Sequence, residues 1–137
     1  MLEVELSKII IDEKRQDQII VLKEKESDRQ FPIVIGFLEA SSIKMKLADF
    51  QPPRPLTHDL LTDVINALGA ELEHVIIDQM DKSTFHAKLV LRSVDDDKVV
   101  VDARPSDGIA LAVRTGAGIF VDEDVIKKAV LVQQEGE

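Results

Sequence analysis

The 137-residue chain has no cysteine, no tryptophan and no tyrosine, and a single asparagine, Asn66. The missing cysteines exclude disulfides, thiolate metal sites and a cysteine nucleophile. With only five phenylalanines as large aromatics, there is little material for a base-stacking platform. His58, His74 and His86 show no HExxH-type spacing, and no GxxxxGK[ST], GxGxxG or GxSxG string occurs, so the familiar zinc-hydrolase, P-loop, dinucleotide and serine-hydrolase motifs are absent. No stretch approaches the roughly eighteen uncharged apolar residues of a spanning helix. The N-terminal MLEVELSKIII carries Glu3 and Glu5 where a secretory signal would be basic, which predicts a cytoplasmic protein.

What is present suits one globular domain over residues 1–137. Apolar residues make up 45% and charged residues 31% of the chain, with mean hydropathy near zero. Acidic residues outnumber basic ones 26 to 17, for a net charge of −9, so the whole molecule repels polyanions. A nucleic-acid reading has to overcome that repulsion locally. High charge, scarce asparagine and short loops lean towards a thermophilic source.

Apolar periodicity changes along the chain. Residues 3–12 and 18–24 read as a hairpin around the polar turn Glu13–Asp17, and FPIVIG (31–36) as a buried strand. From Leu38, apolar residues at Ala40, Ile43, Leu47 and Phe50 predict a helix to about Asp49, which QPPRP (51–55) stops. A second helix is expected from a Thr57 cap, with Leu61, Val64, Ile65 and Leu68 on one face and Gly69 ending it. The order then recurs. Strands at 71–78, 88–92 and 98–102 precede a helix at 104–116, a short strand at 118–121 and a last helix capped by Asp122, leaving QQEGE (133–137) as a frayed tail. Val75-Ile76-Ile77-Asp78 lies 66 residues after Ile9-Ile10-Ile11-Asp12, and Val99-Val100-Val101 lies 66 after Ile33-Val34-Ile35. The expectation is an α+β, two-layer domain with a mixed sheet and an internally duplicated βββαα unit.

Chemistry concentrates in two strings. In DARPSDGIALAVRTG (102–116), Pro105 suits the first helical position, Asp107 sits where a first-turn cap would, and Asp102 ends a valine-rich strand where ligand sites tend to open. Arg104 between the two acids can neutralise one or reach an anion. In PPRPLTHDL (52–60), Arg54, His58 and Asp59 lie on a proline-stiffened approach to a helix start. Glu39 takes the third position of the first helix, as Asp107 does in the later one. Each acid also has a plain capping explanation. Gathered together, they would form an oxygen-rich site of the kind Mg²⁺ or Mn²⁺ prefers. His74 and His86 read as ordinary strand residues, and Asp95-Asp96-Asp97 as a solvated turn.

FPIVIGFLEASSI, PPRPLTHDLL and VDARPSDGIALAVRTGAGIFV closely resemble the bifunctional nuclease family over residues 4–126. The resemblance implies an α+β domain with internal duplication and nuclease activity on DNA and RNA. It marks Glu39, Arg54, Thr57, His58, Asp59, Asp102, Arg104, Ser106 and Asp107 as recurrent polar positions. Gly108 stands where relatives commonly carry Ala, a change that costs a helix up to ~1 kcal/mol.

Two readings follow. One is a phosphodiesterase with little sequence preference, in which Asp102, Asp107 and Glu39 hold a divalent metal, His58, Asp59 and Arg104 take part in catalysis, and Arg54, Thr57 and Ser106 bind substrate. The other is a non-catalytic small-anion or protein-binding module using the same pocket. The isoleucine-rich N-terminal segment is expected as an uncovered sheet edge, predicting a homo-oligomer, most simply a dimer.

Overall fold

The computed structural model describes residues 1–12, 14 and 16–135; Glu13 and Arg15, in the expected hairpin turn, and residues 136–137 of the expected tail lie outside the described residues. In chain order the elements are β1 (Leu2–Ile10), β2 (Asp17–Glu24), β3 (Gln30–Gly36), α1 (Phe37–Leu47), α2 (Thr57–Ala67), β4 (Glu71–Asp81), β5 (Thr84–Arg92), β6 (Lys98–Ala103), α3 (Pro105–Thr115), β7 (Gly118–Val121) and α4 (Glu123–Glu135). Residues 133–135 of the expected tail thus continue α4.

The strands form one mixed sheet of seven in the order β3-β2-β1-β7-β4-β5-β6, antiparallel except where β7 runs parallel to β4. The α+β class and mixed sheet are those the sequence predicts. Each half contributes a meander, β1-β2-β3 and β4-β5-β6, running outward from the centre. The halves diverge after that: the second inserts β7 between its helices, and β7 zips the two meanders together. Ile119 of β7 pairs with Val4 on one side and Val75 on the other. The internal duplication, with Ile9–Ile11 equivalent to Val75–Ile77, is not confirmed. The N-terminal strand is also not an edge. β1 lies between β2 and β7, and the edges are β3 and β6. Pro32 marks β3 as an edge, because proline cannot complete a ladder on both sides.

The sheet curls, bringing Phe31 of β3 into stacked contact with Phe85 of β5 at 5.8 Å between ring centroids. Phe31, Ile20, Leu22, Ile43, Ile77, Ile109, Leu111 and Ile126 are fully buried in the resulting core. Burying side chains of this size stabilises by roughly 1.5–3 kcal/mol each. α3 is the most enclosed helix, buried at Pro105, Ser106 and Gly108–Ala112, and it packs against α1, α2, β4 and β5. Gly116 in the left-handed conformation (φ 82°) ends it. By contrast, the expected core face of α2 is in water: Leu61, Val64 and Leu68 are exposed, and His58 is its buried residue. Leu47 and Phe50, expected on the core face of the first helix, are exposed as well. Asp122 does cap α4, accepting a hydrogen bond from the Asp124 N–H at 3.0 Å.

The β4–β5 hairpin is longer than expected. Its Lys82-Ser83 turn places two non-glycine residues at φ 50° and 68°. Such turns usually announce themselves by Asn-Gly or Asp-Gly, and this one does not.

Gly108 is a packing residue. A Cβ there would come within 2.6 Å of Val75 Cγ1 on β4, so the glycine lets α3 lie close on the sheet. Gly108→Ala gains helix propensity yet overpacks against a stiff β-branched side chain, and is expected to destabilise the fold by about 1–2 kcal/mol. Urea denaturation should show a lowered midpoint, with Val75→Ala in the same chain recovering the part due to the clash.

Candidate functional site

The helix starts converge as the sequence suggests, through side chains and not through caps. At α3 the cap position is Arg104, with no side-chain cap, and Pro105 opens the helix. Asp107 does not close on the backbone. Its Oδ1 accepts from His58 Nε2 at 2.9 Å, while Arg104 donates Nε to Oδ2 at 2.9 Å and a terminal nitrogen to Oδ1 at 3.2 Å. Arg104 also reaches Glu39 of α1, at 3.2 Å. Gly36 beside it leaves the room: a Cβ there would meet the Glu39 carboxylate.

Behind this surface layer lies a buried one. His58 Nδ1 is 2.7 Å from Ser42 Oγ of α1, and Ser42 Oγ accepts from Arg114 of α3 at 3.0 Å. Arg114, its side chain 4% exposed, donates to Asp59 Oδ1 at 2.7 Å and to the Ala110 carbonyl at 2.9 Å. The other Asp59 oxygen accepts from the Leu56 N–H at 3.0 Å, so Leu56 takes the cap position of α2 where Thr57 was expected. Nε2–H donating to Asp107 with Nδ1 accepting from the Ser42 hydroxyl is one arrangement that satisfies all three groups. Both His58 ring nitrogens are engaged.

The carboxyl groups feel this environment. Burial raises the Asp107 carboxyl, but hydrogen bonds from Arg104 and His58 outweigh it and leave it below its ordinary value of 3.8. The Arg114 hydrogen bond lowers Asp59 likewise, against partial burial.

Of the residues singled out in the sequence, Glu39, His58, Asp59, Arg104 and Asp107 belong to this network. Asp102 does not. Its side chain, 78% exposed on edge strand β6, pairs with Lys88 at 3.1 Å. It therefore cannot share an ion with Asp107 and Glu39 in this arrangement, and the guanidinium of Arg104 occupies the position between those two. Among the described residues no group of three or more His, Asp or Glu side chains could hold a metal ion. The donor set does not fit the divalent-metal site expected from the sequence. Arg54 and Thr57 are exposed, and neither side chain hydrogen-bonds or ion-pairs with these groups.

Ser42 and Arg114 were missed. Ser42 looks like any small polar residue of a helix, and Arg114 like a favourable charge in a last helical turn. A basic side chain four residues beyond the buried Ala110 was the available signal for Arg114.

Arg104, Pro105 and Ser106 line one end of a cleft of about 470 Å³ between β3 and the tip of the β4–β5 hairpin, floored by Ile33, Ile35, Met80 and Phe85. Ser106 is buried, and its hydroxyl has no partner among the described residues. No helix among the described residues is long and apolar enough to cross a membrane.

Fold and site thus define an α+β domain whose exposed arginine is held by two carboxylates at the start of a central helix. The chain belongs to the bifunctional nuclease domain family, whose profile matches residues 20–134. It is 40% identical over 130 residues to an uncharacterized protein of Mycobacterium tuberculosis, covering 95% of this chain and 77% of the relative. It is 28% identical over 108 residues to bifunctional nuclease 2 of Oryza sativa subsp. japonica, and 30% over 107 residues to bifunctional nuclease 2 of Arabidopsis thaliana. It spans 33% and 32% of those plant proteins.

Two measurements probe the network. Because the Asp59 and Asp107 carboxyls are lowered on folding, their contribution to stability is complete above about pH 4 and is lost as pH falls through their lowered values. The urea midpoint should drop below about pH 4, and Asp59→Asn should flatten that fall. Asp59→Ala leaves Arg114 buried without its carboxylate. With 31% of the Asp59 side chain in water, the expected cost is about 2–3 kcal/mol, below the range for fully buried pairs.

Proposed function

We propose that the chain is a nuclease cleaving phosphodiester bonds of DNA and RNA with little sequence preference, and that it binds the scissile phosphate at the Arg104 end of the cleft. The observation that carries this reading is the state of Arg104: its side chain is 65% exposed, yet its position is fixed by Asp107 and Glu39. Two of its five N–H groups donate to Asp107 and a third nitrogen is ion-paired with Glu39, which leaves donors for the oxygens of a phosphate. The Ser106 hydroxyl adds an uncommitted donor beside it. A fixed guanidinium stabilises charge as it develops on phosphorus without reorganising, which also answers the repulsion expected from a net charge of −9. Asp107 orients the attacking water, and His58 positions Asp107. Arg54 and Thr57 contact the nucleic-acid backbone further from the scissile bond.

A second reading, a small-anion binding module without turnover, draws on one specific observation: both His58 nitrogens and both Asp107 oxygens are already occupied. It uses the same arginine.

Labelled single- and double-stranded DNA and RNA, incubated with highly purified protein in Mg²⁺, Mn²⁺ or EDTA, separate these readings. Nuclease activity is expected to fall about 10²–10³-fold in Arg104→Ala, the usual range for one charge-stabilising donor, and to persist within severalfold in Asp102→Asn. Tight oligonucleotide binding with no cleavage would favour the module. Loss with EDTA together with loss in Asp102→Asn would reinstate Asp102, Asp107 and Glu39 as ligands of a divalent ion.

A further inference from the structure

Edge strands need protection, and the two edges of this sheet differ. β3 carries Pro32 and faces the hairpin tip across the cleft. β6 has no proline and no charge in its middle. Val99, Val100 and Val101 are 42%, 51% and 41% exposed, so side chains on both faces of one strand stand in water beside an unpaired ladder. An edge of this kind is a template for another strand.

The order of residues along β6 identifies the strand that fits. Lys98-Val99-Val100-Val101-Asp102 reads as a charge, three valines and the opposite charge. Laid antiparallel against a second copy of itself about Val100, it sets Lys98 opposite Asp102 twice, Val99 opposite Val101 twice, and Val100 opposite Val100 on the axis. Opposite charges at facing positions favour such a pair, and β-branched pairs add to it. A parallel arrangement in the same register would stack Lys98 on Lys98 and Asp102 on Asp102. A one-residue slip would face Lys98 with a valine.

We infer that β6 is a homodimer seam, two copies pairing antiparallel about Val100 so that their sheets join into one, with Lys98 of each copy meeting Asp102 of the other.

The surroundings agree. The two-fold axis of an antiparallel strand pair is perpendicular to the sheet, so both copies present the same face and their α2 helices lie on one side of the seam. α2 is the helix that leaves Leu60, Leu61, Val64 and Leu68 exposed. Val94, also exposed and in van der Waals range of Gly69, continues that patch into the turn leading to β6. Val99 and Val101 share a sheet face with Leu91 and Leu89, their partners on β5, and Leu89 lies under α3, so apolar surface on the helix side runs up to the edge. Asp102, set apart from the Arg104 network, finds a partner here besides Lys88.

The test is mass in solution for the whole chain and for variants with unchanged circular dichroism. Wild type should scatter light as a dimer, twice 15.3 kDa. Lys98→Glu sets like charges opposite one another twice, and Val100→Lys sets them on the axis; each should weaken the dimer at least tenfold. Lys98→Glu combined with Asp102→Lys restores opposite charges and should restore the dimer. Because the chain has no cysteine, Val100→Cys supplies a single thiol per copy, and mild oxidation should link two copies through it. A wild-type monomer at tens of micromolar, a dimer indifferent to Lys98→Glu and Val100→Lys, or a charge-swapped double variant that stays monomeric would each overturn the proposal.

Discussion

The buried guanidinium of Arg114 is the constraint around which the polar half of this molecule is arranged. A cation taken from water must be matched by acceptors, and it draws Asp59 from α2, Ser42 from α1 and a carbonyl of its own helix into one place. Ser42 in turn bonds His58 Nδ1, and His58 Nε2 bonds Asp107, so the buried cation is tied to the orientation of Asp107. Asp107 then holds Arg104, and Arg104 holds Glu39. A surface arginine ordinarily samples many rotamers. Here its direction is determined by a line of hydrogen bonds that begins in the interior and crosses three helices.

The same line explains which parts of the site were legible in the sequence. His58 and Asp107 stand out because both sit in unusual strings at helix starts, and their meeting needed only α2 and α3 to be neighbours. Asp107 also looked like a routine cap, and that reading fails because Arg104 and His58 outcompete the backbone for its oxygens. Arg114 and Ser42 left no local mark. Their roles are set by what lies across a helix interface, which periodicity along one helix does not record. Asp102 shows the converse: its neighbours in sequence, Arg104 and Asp107, belong to the network, but strand alternation turns its side chain towards Lys88 and the outer edge.

For the fold, α+β class, strand content and the Pro105 and Gly116 boundaries of α3 followed from pattern and turn chemistry. The place of β1 did not. A four-residue strand, Gly118–Val121, covers the flank of β1 that its isoleucines made look like an open edge, and so short a segment carries no signal of its partner. The apolar stripe of α2 was legible as amphipathic, yet amphipathicity says only that a face wants cover, not that this chain supplies it.

The position of β7 also bears on how the molecule assembles. Each meander is built from neighbouring segments and can close quickly, since little chain entropy is lost in local pairing. Joining them is another matter, because the strand that bridges Val4 and Val75 is made only after all the other strands. Until residues 118–121 emerge from the ribosome, a nascent chain therefore holds two separate half-sheets with unsatisfied inner margins, β1 and β4. The final union is a long-range, late event. During synthesis the vulnerable surface is at the centre of the future sheet, and it is sealed by one of its shortest pieces.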